Sequence, residues 1–137
     1  TLSSSSAASD VYKRQFQMKR RCKDSIFLKK INLKDFRLTF RSKYRAADIE
    51  IKKSSIVPGG LFEISKSDEK KLDVYEDYPI LYKKYYFYYY GKKVMTYIMV
   101  KKTIFKFPND RYLNTIKRGY KDCKLDQNYL KKALVNF

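Results

Sequence analysis

The chain has 137 residues, 44% of them hydrophobic, which suits one domain around a single core. With no histidine and only two distant cysteines, Cys22 and Cys123, it excludes a Ser-His-Asp triad, a zinc cage and a disulfide framework. It also lacks an apolar run of about 18 residues and a basic-then-apolar leader, so a membrane span and a secretory signal are not expected, and the location expected is cytoplasmic.

The first residues do not read as protein. Ser5 to Gln15, SSAASDVYKRQ, reverse-translates codon by codon to a transposase sequencing adapter that ends in its mosaic-end sequence. Residues 1–15 are therefore expected to be an artificial, disordered segment, and the native frame is expected to have been entered after its true start. The domain is then 16–137. Phe16 to Lys23 holds no turn residue and reads as the end of a helix that begins earlier.

From Ile26 to Phe40 the apolar residues fall into short period-two runs, Ile26 with Leu28, Ile31 with Leu33, and Phe36 with Leu38 and Phe40, which predicts extended chain with bends between the runs. Ala46 to Ile51 reads as another strand, with Asp48 and Glu50 opposite Ala47, Ile49 and Ile51. Lys52 to Ser55 is a polar turn. Ile56 to Ile64 has strand character again, and Pro58, Gly59 and Gly60 mark a bulge or a close backbone approach.

Ser65 to Tyr78 predicts a helix. Ser65 with Asp68 three residues on resembles a capping box, and Pro79 stops the helix after Tyr78. Leu72 and Tyr75 form its apolar stripe, and Glu76 stands at the margin of that stripe, a carboxylate turned toward the core. Asp68, Glu69 and Asp73 read as dipole partners or a solvated face. Leu81 to Tyr90 and Val94 to Val100 form two strands joined by Gly91-Lys92-Lys93. A loop broken by Pro108 leads to two closing helices. Arg111 to Lys121 presents Tyr112, Ile116 and Tyr120, and Asp126 to Val135, capped by Asp126, presents Tyr129, Leu130 and Leu134.

The charge of +18 is dispersed along the chain in lysine pairs from Lys29-Lys30 to Lys131-Lys132, and lysine outnumbers arginine by 24 to 8. Arginine makes the bidentate contacts that read base edges, so a sequence-specific nucleic-acid partner is not expected. With so much Tyr, Ile, Asn and Phe, the composition fits an AT-rich genome's codon bias. A selected polyanion surface is the other reading of the charge. The run Tyr85 to Tyr90, flanked by lysines, is either a strand buried on one face or a stacking platform for single-stranded nucleic acid. No phosphate loop and no cluster of hard metal ligands occurs, and no cofactor is expected. Carboxylate acid–base chemistry supported by tyrosines remains.

Ala47-Asp48-Ile49-Glu50, then Ser55 to Ser65 (SIVPGGLFEIS), then Leu72 to Pro79 (LDVYEDYP), continuing through Tyr97-Ile98-Met99, Tyr112, Gly119, Leu125 and Tyr129, resemble the gamma-glutamylcyclotransferase-like family. The resemblance implies an α+β fold, a small mixed β-barrel flanked by helices, here with its first strand missing. It implies a small-molecule γ-glutamyl substrate and an intramolecular reaction that gives 5-oxoproline and a free amine or amino acid. The catalytic glutamate falls on Glu76, whose burial is expected to raise its pKa, and cavity-lining aromatics fall on Tyr82, Tyr97 and Tyr112. Asp77 stands where the family has Gly, a position that Asp tolerates better than most residues. The family's YGSN-like loop, which holds substrate on backbone amides, would precede Phe16. Without it this chain is expected to be inactive and less stable. The other functions left open are a basic RNA-binding module and a non-catalytic interaction domain on the same fold.

Overall fold

The computed structural model describes residues 3–7, 22–122 and 124–135. Five strands, β1 (Ser3–Ala7), β2 (Ile26–Arg41), β3 (Ala46–Ile64), β4 (Tyr82–Tyr89) and β5 (Lys92–Met99), form one sheet in the order β2-β3-β1-β5-β4. Among the described residues three helices accompany them: α1 (Lys66–Tyr75) between β3 and β4, then α2 (Asp110–Asp122) and α3 (Gln127–Val135). The mixed α+β class stands. The expected helix end over Phe16 to Lys23 lies almost wholly outside the described residues, as does Cys123.

The long β2–β3 hairpin follows the bends read in the sequence. Its ladder slips between Phe27 and Lys29 on β2, and again between Lys34 and Phe36. The second slip separates the run ending at Leu33 from the one beginning at Phe36, because a one-residue shift restores the apolar set to the same face, whereas the first falls at Leu28, inside the first run, whose Ile26 and Leu28 are exposed. At the second slip Asp35 adopts φ 65° and accepts the Ser54 N–H through Oδ1 at 2.9 Å. The predicted turn at Lys52 to Ser55 is therefore a wide irregularity inside one strand, and Ala46 to Ile64 is continuous. At Gly60 a Cβ atom would lie 3.1 Å from ring atoms of both Phe27 and Phe62, so the predicted close approach is one of aromatic rings over bare backbone.

Two expectations need correction. Ser3–Ala7, expected to be disordered, instead forms β1, antiparallel to β3 (Ser3 opposite Ile64, Ala7 opposite Gly60) and parallel to β5 (Ser4 opposite Val94). The place expected to be empty is thus occupied. Ladder hydrogen bonds come from the main chain, so a weak strand former can complete them between two neighbours that would otherwise be bare edges.

The second correction is the barrel: among the described residues no ladder joins the edge strands β2 and β4, and the sheet stays open. Its twist still brings the edges together through side chains. Phe36 of β2 meets Tyr85 of β4 at 5.6 Å between ring centroids, which holds the strands at side-chain distance instead of ladder distance.

Each sheet face has its own core. Leu33, Phe40, Ile49 and Val57 meet Ile116 and Tyr120 of α2 and Leu130 of α3. Phe62, Ile64, Tyr82, Met95, Tyr97 and Met99 receive Leu72 of α1 on the other side, with Cys22 buried among them. The β4–β5 connection is tighter than expected, with Tyr89 opposite Lys92 and only Tyr90 (φ 48°) and Gly91 (φ 78°) in the turn. Both φ values are positive, as the primed turns of two-residue hairpins require.

Candidate active site

α1 starts where Ser65 Oγ accepts the Asp68 N–H at 3.1 Å, half of the capping box that the sequence predicts. The Asp68 carboxylate does not complete it. Asp68 is buried and its carboxylate oxygens have no hydrogen-bond partner among the described residues. The buried face runs Asp68, Leu72, Glu76 at four-residue spacing, whereas Tyr75, expected in the stripe, is 49% exposed. The apolar stripe is accordingly a single leucine between two acids.

The helix ends in a Schellman motif, with Tyr78 N–H donating to Asp73 O at 2.9 Å and Asp77 N–H to Val74 O at 3.2 Å. Asp77 supplies the left-handed residue at φ 50°, so the turn forms without the family's glycine. This turn fixes Glu76 as the C-cap, with its N–H on Leu72 O at 2.8 Å and only 3% of the residue exposed.

The tyrosines singled out by the sequence converge on two places. Tyr82 Oη donates to Ala47 O at 2.6 Å, and Tyr112 Oη accepts the Ala47 N–H at 3.0 Å, so β4 and α2 clasp one residue of β3. Burial pushes the Tyr82 phenol far above its ordinary range, and Tyr112, Glu76, Asp48 and Tyr75 reinforce that shift electrostatically. Tyr82 is therefore a neutral hydroxyl in a pocket of acids and phenols that includes Glu76. Tyr97 lies one strand over and donates to Asp73 Oδ1 at 2.6 Å. The other Asp73 oxygen and Glu69 hold Lys84 Nζ at 3.0 and 2.7 Å. Burial works to lower the Lys84 pKa, but those two hydrogen-bonded carboxylates outweigh it and leave the ammonium above its ordinary value.

Asp48 was read from the sequence as pointing away from the apolar side of its strand. It is 2% exposed, and its Oδ1 accepts the Met99 N–H at 2.8 Å while Oδ2 takes Lys102 Nζ at 2.7 Å. Arg41 Nε lies 3.5 Å away, and Arg41 also pairs with Glu50, which holds Arg37 at 2.5 Å. Burial raises the Asp48 pKa against the opposing pull of Lys102, the Met99 amide and Arg41. The available signal was the Ala47-Asp48-Ile49-Glu50 string itself, since an acid inside an apolar strand needs a buried partner to be tolerated. Among the described residues no group of acids, cysteines or histidines could hold a metal ion.

A family model described as gamma-glutamyl cyclotransferase, AIG2-like, matches residues 11–119. The chain belongs to this family. Solved structures place the same fold beside it. A structure titled gamma-glutamyl cyclotransferase superposes with a TM-score of 0.77 at 18% identity over 98% of this chain and 88% of its own. An uncharacterized protein from Homo sapiens gives 0.79 at 21% identity over 98% and 87%, and an AIG2-like protein from Mus musculus gives 0.53 at 16% over 82% of each. No curated protein matches at a significant level. For a member of the gamma-glutamyl cyclotransferase, AIG2-like family, the arrangement offers two buried carboxylates, Glu76 and Asp48, within electrostatic reach of a neutral phenol, and of these Asp48 is already engaged by Lys102 and the Met99 amide.

Proposed function

We propose that the chain is built for γ-glutamyl cyclotransfer, with Glu76 as the proton carrier. The α-amine of a γ-glutamyl group attacks its own γ-carbonyl, a new C–N bond closes the five-membered ring, and the bond to the leaving nitrogen breaks. Glu76 takes the proton from the attacking ammonium and returns it to the leaving nitrogen, so 5-oxoproline and a free amine or amino acid form with no water consumed. Nucleophile and electrophile share one molecule, so most of the work is holding the cyclising conformer. Tyr82, Tyr97 and Tyr112 serve as the aromatic walls for that conformer. The Tyr82 and Tyr97 hydroxyl protons are directed at Ala47 and Asp73.

The observation that supports this reading best is the burial of Glu76 at a helix end shaped by the LDVYEDYP segment, in a chain of this family. The experiment offers γ-glutamyl amino acids and γ-glutamyl amines and detects 5-oxoproline by mass spectrometry. It uses the chain as it stands and a version in which residues 1–15 are replaced by a family-type first strand and YGSN-like loop. The expected result is turnover only in the second version, a higher unfolding midpoint there, and loss of turnover on Glu76→Gln with the midpoint retained. Wild-type turnover in Glu76→Gln removes Glu76 from the mechanism. No turnover in the loop-bearing version, with its fold intact, favours a non-catalytic interaction domain.

A further inference from the structure

Four lysines that are scattered in the sequence, Lys30, Lys34, Lys124 and Lys132, come together in the fold. Three hollows lie end to end along β2, the β4–β5 turn and α3. The first, about 230 Å³, is lined by Arg37, Ser54, Tyr129 and Lys132 among others. The middle hollow, about 580 Å³, shares Tyr129 with it and adds Lys30, Lys34, Lys124, Tyr89 and Tyr90. The third, about 380 Å³, shares Lys34, Tyr89 and Tyr90 with the middle one and adds Phe36, Phe87 and Tyr88. Shared walls make the three one groove. Asp126 is the single acid among its lining residues, against five basic ones.

Rings and cations meet in and beside this groove. Lys29 Nζ sits 5.2 Å from the ring centres of both Tyr89 and Tyr90, which meet edge to face at 4.6 Å. Lys132 Nζ stands 5.6 Å from the Tyr129 ring, and Lys30 Nζ is held at its place by Lys124 O at 3.3 Å. Tyr88 and Tyr90 are 73% and 86% exposed, large rings that burial in the core does not account for. The Tyr85 to Tyr90 run is thereby divided: Tyr85 and Phe87 stack with each other against Phe36 and the core, while Tyr88 and Tyr90 face out.

We propose that this groove binds single-stranded nucleic acid without sequence preference, the exposed tyrosines stacking on bases and the lysines tracking the phosphates. A polyanion without bases would use only the lysines. A duplex would offer its phosphates but keep its bases stacked away from the rings. The groove is separate from Glu76, and no residue of α1 lines it, so the activity proposed above and this binding stand or fall independently. Four of the five basic lining residues are lysines and the fifth, Arg37, is engaged by Glu50, so bidentate base reading is not favoured and the binding is indifferent to sequence.

The test uses the whole chain and fluorescence anisotropy with labelled single-stranded oligonucleotides of mixed sequence, at about 50 mM salt and upward. Tyr88→Ala and Tyr90→Ala should each raise Kd about fivefold or more, the loss expected for one stacked base. Lys34→Gln and Lys124→Gln should weaken binding and each reduce the slope of log K against log salt by about 0.7. Lys70→Gln and Lys71→Gln, on α1, carry the same charge change outside the groove and should leave Kd within about twofold. All six residues are exposed, and matched unfolding midpoints verify that each variant is folded. Equal affinity for the hybridised duplex or for polyphosphate, tyrosine variants that bind like the parent, equal effects of the α1 lysines, or no binding at the lowest salt would each overturn the proposal. Binding to anionic vesicles but not to oligonucleotides would overturn it too.

Discussion

Replacing Leu72 by alanine separates the helix face shown by the structure from the one read in the sequence. Leu72 is fully buried against Phe62, Ile64, Tyr82 and Met99, and it is the only large apolar residue on the buried face of α1. Truncating it removes the buried methyls and leaves a cavity that two flanking acids, Asp68 and Glu76, cannot fill. Leu→Ala substitutions at such sites cost about 2–5 kcal/mol, and the upper part of that range applies where the walls are strands that cannot collapse inward. For a chain of this size that is a fall in unfolding midpoint of roughly 10–15 °C. Tyr75→Ala, by contrast, removes a half-exposed ring from the turn before the cap and should cost about 1 kcal/mol or less. The assay is urea unfolding of both variants followed by tyrosine fluorescence and far-ultraviolet dichroism. A loss below about 1 kcal/mol for Leu72→Ala, or an equal loss for Tyr75→Ala, would show that α1 is not docked by the Asp68-Leu72-Glu76 face.

Asp48→Asn tests the buried ion network through pH. The folded-state pKa of Asp48 is raised above 3.8, so the folded chain keeps a proton that the unfolded chain has lost, and its contribution to stability is lost as pH rises from about 3.8 through the folded value. The asparagine variant lacks that loss, so its stability relative to the parent should improve with rising pH across the window, by at most about 1.4 kcal/mol per pH unit; parallel curves would refute the shift. Gly60→Ala should cost about 1–3 kcal/mol by pressing a methyl on the Phe27 and Phe62 rings, and Phe27→Leu in the same chain should recover part of it, as a double-mutant cycle would show. Tyr82→Phe should cost about 1–2 kcal/mol in unfolding free energy, because the Ala47 carbonyl loses a buried donor, and unchanged stability would mean that the 2.6 Å bond contributes nothing.

Local elements were legible in the sequence wherever one segment held all the information. The break between the runs ending at Leu33 and starting at Phe36 located the slip at Lys34/Phe36, though none marked the slip at Phe27/Lys29; Ser65 located the start of α1, and the pattern of Arg111 to Lys121 located α2, whose Tyr112 N–H is capped by Asn109 Oδ1. The LDVYEDYP string located Glu76 at a helix end and tolerated Asp77 in the left-handed turn. Which partner each element meets was settled by packing alone. Helix periodicity could not choose between Tyr75 and Glu76 as the residue beside Leu72, because they differ by about 100° around the axis and the choice depends on where the sheet lies. Strand alternation placed Asp48 outside, but β3 is covered on both faces where it crosses Met99 and Lys102, so alternation carries no solvent side there. The same limit governed the lysines: spacing along the chain says nothing about distance across a fold, and β2, the β4–β5 turn and α3 bring Lys30, Lys34, Lys124 and Lys132 along one groove only after the sheet has curled.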